Sequence, residues 1–153
     1  MPFDMDNLTK KHKCLFIKQP FADEFAKGRM TVYITPRRID YRGEVLICAE
    51  TGSGEQFGMY DGAWLAKAEI KDCIPVAQLT QAQIADSNIM GVGKKGYGVI
   101  LGNVRRLVEF PCHGRGFITK EIYEEDLVEY PTIVQLDRKG YEMILTGKWK
   151  RRK

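Results

Sequence analysis

Cys14-Leu15-Phe16-Ile17-Lys18-Gln19-Pro20-Phe21-Ala22-Asp23-Glu24-Phe25-Ala26-Lys27-Gly28 is the stretch whose reading decides the fold. Cys14 to Lys18 reads as a short strand. Pro20 suits the first turn of a helix, where a missing N–H costs nothing. Phe21, Ala22, Phe25 and Ala26 recur at helical spacing and form an apolar stripe on one face. Asp23 and Glu24 at the start, with Lys27 at the end, carry the signs that the helix dipole favours. Gly28 then offers the left-handed conformation that closes a helix. Met30 to Thr35 (MTVYIT), β-branched and aromatic, follows as a strand. The block is strand, one amphipathic helix, tight exit, strand.

Outward from that block, Met1 to Lys13 is polar and reads as a loose arm. Pro36 ends the strand because it cannot donate to a ladder, and Arg37, Arg38 and Arg42 fall in the loop behind it. Glu44 to Glu50 (EVLICAE) is apolar enough for a central strand. Thr51 to Gly62 holds four glycines and reads as a long loop. From Trp64 to Val76, Ala66, Ala68 and Ile70 alternate with Lys67, Glu69 and Lys71, the pattern of a half-exposed antiparallel strand. Thr80 is placed to cap a short helix reaching Asp86. Gly91 to Gly96 spells G-x-G-x-x-G, but a helix precedes it and a strand follows, the reverse of a dinucleotide site. Tyr97 to Phe110 is a long strand with a bend or bulge at Gly102-Asn103. Pro111 to Gly116 turns, Glu121 to Asp126 is an acidic helical turn, and Thr132–Leu136 with Tyr141–Leu145 reads as a hairpin. Antiparallel strands outnumber helices. The fold class is therefore α+β, mainly β: a barrel with one or two short helices on it.

At 153 residues a single domain is expected, over 14–147, and it can bury a core without disulfides or metals. No apolar run reaches the length of a membrane span, and no leader-like segment opens the chain, so the expectation is a cytoplasmic protein without a membrane partner. The net charge of +4 is concentrated: Lys148, Lys150, Arg151, Arg152 and Lys153 supply five of the 24 basic residues, leaving 19 against 20 acidic ones. With Trp149 they form a basic tail, 148–153, an electrostatic arm with one stacking face. Cys14, Cys48, Cys73 and Cys112 lie far apart in the chain and read as buried free thiols.

No catalytic constellation stands out. His12 falls in the arm, and a catalytic histidine needs an orienting partner. His113 adjoins Cys112, but neighbours on an extended chain point apart. No ligand set has zinc-like spacing, so neither a metal nor a cofactor is expected. Flat side chains (Tyr33, Trp64, Tyr97, Phe117) lie near cations (Lys18, Arg29, Lys94, Arg105, Arg115) along the chain, the combination that unstacked bases and phosphates require.

Lys18-Gln19-Pro20-Phe21 before a helix, Gly28, a strand, and Tyr41-Arg42-Gly43-Glu44-Val45-Leu46-Ile47 together resemble the start of an ASCH domain, the activating-signal-cointegrator homology family. Ala66 to Ile70, Gly96-Tyr97-Gly98, and Pro111 before His113-Gly114-Arg115-Gly116 extend the likeness over Cys14 to Ile118. The resemblance implies a PUA-like mixed β-barrel and an RNA or modified-nucleotide partner. It also implies a cleft between the helix after Pro20, the strand after Gly28 and the turn at His113. Lys18, Gln19, Pro20, Phe21, Arg29 and Thr31 would border it from the first block. Tyr33, Tyr97, Arg105, His113 and Arg115 would border it from the later strands. In the family's amidohydrolase branch, a lysine and a threonine fall at Met30 and Tyr33 and a glutamate near Ser87. Methionine can act neither as base nor as activator, so binding is expected ahead of two alternatives, a hydrolase with a rearranged site and a protein-interaction module.

Overall fold

Strand β1 runs Thr9–Ile17 and helix α1 Phe21–Ala26, followed by β2 Val32–Thr35 and β3 Gly43–Ala49. β4 is Ala63–Pro75, α2 Gln81–Ala85, β5 Tyr97–Pro111 and β6 Phe117–Tyr123. The structure, a computed structural model, describes residues 9–89 and 95–131. The glycine loop from Gly91 to Lys94, the hairpin from Thr132 to Leu145 and the tail from Lys148 to Lys153 lie outside the described residues.

The strands form one six-stranded mixed sheet in the order β2-β5-β4-β3-β1-β6. Among the described strands, β1 and β3 pair in parallel and the neighbouring strand pairs are antiparallel. A parallel pair needs a crossover, and α1 with β2 supplies it. The fold is mainly β, as read from the sequence.

Alternation along the strands buries both faces of the sheet. Leu15, Ile17, Val45, Ile47, Ala68 and Val99 join Ala22, Phe25 and Ala26 of α1 in the main core. Cys14, Phe16, Leu46, Cys48, Trp64, Leu107, Cys112 and Ile122 form a second core on the opposite parity. α1 ends as its sequence requires: Gly28 has φ +75°, its N–H reaches Phe25 O (3.1 Å), and Arg29 N–H reaches Glu24 O (2.9 Å). These are the two bonds that close a helix through a left-handed glycine.

Two local features match their reading. Asn103 has φ +51° beside a register shift between β4 and β5, the bulge expected at Gly102-Asn103. Thr80 caps α2: its Oγ1 accepts from Gln83 N (3.1 Å) while Gln83 Oε1 accepts from Thr80 N (2.9 Å). Thr80→Ala is expected to destabilise α2 by about 0.5–2 kcal/mol, read as faster amide exchange confined to Gln81–Ala85.

Two expectations are corrected. The arm assigned to residues 1–13 is strand from Thr9 onward, and His12 stands opposite Lys120 with its Nε2 against Glu124. The acidic turn is shorter than read, a single 3-10 turn at Glu124–Asp126, because Phe117–Tyr123 is strand β6. β6 lies at a sheet edge, where charged side chains blunt the period-two pattern. Lys120, Glu121 and an exposed Ile118 hid it.

Candidate functional site

β1 stops at Ile17, and the next two residues open a cleft of about 590 Å³ lined by Lys18, Gln19, Glu50, Thr51, Ser53 and Arg115, with Gly52, Glu55 and Gln56 completing the wall. Its frame is hydrogen-bonded throughout. Glu50 N donates to Ile17 O (2.8 Å), extending the parallel β1–β3 pairing into the loop. Gln19 is almost wholly buried and braces the floor. Its Nε2 donates to Tyr60 O (2.8 Å) and Asp23 Oδ1 (3.2 Å), its Oε1 accepts from Asp23 N (3.0 Å), and its own N–H donates to Ser53 Oγ (3.0 Å). Asp61 Oδ2 accepts from Gly54 N (2.8 Å). Backbone donors at Gly52 and Gly54 hold the Asp61 carboxyl below its usual range. Arg115 stands between two anchored glycines: Gly114 N donates to Thr51 Oγ1 (3.0 Å), and Gly116 O accepts from Phe16 N (2.8 Å).

Lys18 and Arg115 are exposed, and among the described residues neither has an ion-pair partner. Glu50 and Glu55 share the cleft. It is thus a mixed-charge site: two cations suited to phosphate, and carboxylates that accept from amino or hydroxyl groups.

The other expected residues are dispersed. Pro20 is the N-cap of α1, and Phe21 packs half-buried against the main core. Tyr33 packs there too, edge-on to Phe25 with ring centroids 5.9 Å apart, and burial pushes its hydroxyl above the ordinary value, with Glu50 adding to the shift. Tyr97 also packs on that core from the start of β5. Neither tyrosine lines the cleft. Arg29 is held by both its Nε and Nη2 on Glu24 (3.0 and 2.9 Å). Thr31 N donates to Asp86 O (2.9 Å), which sets the start of β2 against Asp86 and Ser87. Arg105 belongs to a separate recess, paired with Glu44 (3.2 Å). His113 flanks the cleft, its Nδ1 3.5 Å from Thr51 Oγ1. Trp64 is no stacking platform: it is buried and stacks on Phe110 at 4.9 Å.

Sequence reasoning missed a second cluster. Cys14, Cys48 and Cys112 are buried and free, and their sulfurs lie within 4.8 Å of one another. Hydrogen bonds from Cys14 and Cys48 pull the Cys112 thiol down to about 3. The bond with Cys112 pushes Cys14 up to about 12, and burial raises Cys48. The three sulfurs converge in space although their spacing along the chain resembles no zinc motif. Cys14 pairs with Leu46 across β1–β3, so Cys48, two residues on, shares its face. That parity was visible in each strand, but the parallel pairing that joins them was not. Cys112 and His113 do point apart, one into this cluster and the other over Gly62.

Fold and cleft define a mainly β, mixed-sheet chain with an open polar cleft at the end of its only parallel strand pair among the described residues. No protein-family model matches the chain, and no curated protein matches it. Among the described residues no helix is long and apolar enough to cross a membrane.

Proposed function

We propose that this chain is an ASCH-type, PUA-like β-barrel module that works in the cytoplasm and binds RNA or a modified nucleotide in the cleft at Lys18, Gln19 and Arg115. The observation that carries this reading is the pair of cations without ion-pair partners among the described residues, Lys18 and Arg115, set on anchored backbone around one open cleft of about 590 Å³. A cavity of that size accommodates a nucleotide-sized ligand. The cations meet phosphate, while Glu50 and Glu55 accept hydrogen bonds from amino or ribose hydroxyl groups, which favours a nucleotide over a bare polyanion. Binding without turnover is the better form of the reading. Met30 packs against the main core and offers no proton-transfer group, and Ser87 Oγ is engaged with the backbone at Ile84 O (2.8 Å) and Ile89 N (3.2 Å).

The test is fluorescence anisotropy with a labelled single-stranded oligoribonucleotide, using full-length protein. Lys18→Ala and Arg115→Ala are each expected to weaken binding about tenfold or more, because a hydrogen bond to a charged group contributes about 1.5–3 kcal/mol. Arg105→Ala, outside the cleft, should bind like the wild type. Unchanged affinity in both cleft variants would sink the assignment.

A further inference from the structure

We propose that Cys14, Cys48 and Cys112 form a three-sulfur binding site for a soft, closed-shell metal ion of the Cu(I), Zn(II) and Cd(II) class. Each sulfur comes from a different segment: Cys14 from β1, Cys48 from β3 and Cys112 from the residue after β5. All three pairwise separations are at or below 4.8 Å. Three sulfurs bound to one ion at about 2.3 Å stand about 3.8–4.0 Å apart in tetrahedral or trigonal geometry, so closing on an ion requires a contraction of less than about 1 Å. Thiolate sulfur selects soft ions over magnesium and calcium, which require oxygen.

The surroundings fit such a site. Cys14 and Cys48 are wholly buried, and Phe16, Leu46, Leu107 and Ile122 wall them in. An apolar shell of this kind limits the access of water to Cys14 and Cys48. The backbone under Cys112 is fixed, since its N–H donates to Gly62 O (2.7 Å). A recess of about 140 Å³, lined by residues including Trp64, Phe110, Cys112, Lys120 and Ile122, opens beside Cys112. The Lys120 ammonium at that mouth, fixed by its bond to His113 O (2.7 Å), offsets negative charge from bound thiolates. On binding, each thiol that still carries a proton releases it to solvent as its sulfur–metal bond forms, a sulfur that is already thiolate binds directly, and no oxidation state changes.

Cys73 is the internal control. It is also buried, but it belongs to the main core, where its sulfur accepts from Ile39 N (3.4 Å). Full-length protein, reduced and kept without oxygen, is titrated with Cd(II) while ultraviolet thiolate-to-metal charge transfer is followed. The expected result is one equivalent bound, with the absorbance of three thiolates and a raised melting temperature, because a ligand that binds only the folded state stabilises it. Cys73→Ser should keep the signal. Cys14→Ala, Cys48→Ala and Cys112→Ala should each lose the three-thiolate signal, with far-ultraviolet circular dichroism confirming that the variants are folded. The wild-type and Cys73→Ser titrations decide the matter even where a core variant fails to fold. No charge-transfer band at one equivalent of Cd(II), or a band that Cys73→Ser removes, overturns the proposal. So does a disulfide between two of the three in protein isolated without reductant, if the protein takes up no Cd(II) once reduced.

Discussion

Phe25→Ala is expected to lower the stability of the folded chain by about 3–5 kcal/mol. Phe25 is fully buried and meets Tyr33 edge-on with its ring at 84°. Helix α1 has only six residues, far too few to persist through backbone bonds alone. It is held by the burial of Ala22, Phe25 and Ala26 against β1, β3, β4 and β5. Removing the ring leaves a cavity at the centre of that contact, and the short helix is the element least able to collapse into it. The effect reaches the cleft as well, because Gln19 is anchored to α1 through Asp23. Urea denaturation should show a lower midpoint with an unchanged slope. A loss below about 1 kcal/mol would mean that α1 does not depend on this side chain.

Gly54→Ala should have the next largest effect, about 1–3 kcal/mol, the range for forcing extra volume into a packed site. An added Cβ would sit 2.3 Å from Met59 O and 3.0 Å from Tyr60 O, both backbone atoms. Gly54 is also the hub of the loop. Its O accepts from Phe57 N and Met59 N (both 3.0 Å), and its N–H donates to Asp61. The clash cannot be relieved by a rotamer change, so the loop itself must open. Tyr60 O then moves off Gln19, and the wall carrying Thr51 and Ser53 shifts from Lys18. The variant should therefore lose oligoribonucleotide affinity as well as stability, whereas Thr80→Ala, on a remote helix, should keep its affinity. Wild-type affinity in Gly54→Ala would show that the loop takes no part in the cleft.

Features set by neighbours in the chain were legible. Gly28 closes α1, Thr80 caps α2 and the Asn103 bulge falls where expected, because each depends on a few adjacent residues and a backbone preference. Features set by strand pairing were not. Nothing local in Phe117–Tyr123 shows that it pairs with β1, and nothing in the spacing of Cys14, Cys48 and Cys112 shows that three segments bring their sulfurs together. The candidate cleft divides the same way. Lys18, Gln19 and Arg115 were named from the sequence and share it, but Tyr33 and Tyr97 turn toward the core, and Arg29 and Arg105 are held by Glu24 and Glu44. An aromatic or an arginine in a strand carries no mark of which face or partner it will take until the register is known.

The most direct test of the cleft's role is to follow backbone amide resonances of the full-length protein while a single-stranded oligoribonucleotide, and separately its mononucleotides, are added. The account predicts shifts centred on Lys18, Gln19, Gly52, Ser53 and Arg115, saturating together and absent from the recess at Glu44 and Arg105. Shifts confined to that recess or to the β6 edge, or none at concentrations that saturate the anisotropy signal, would contradict it.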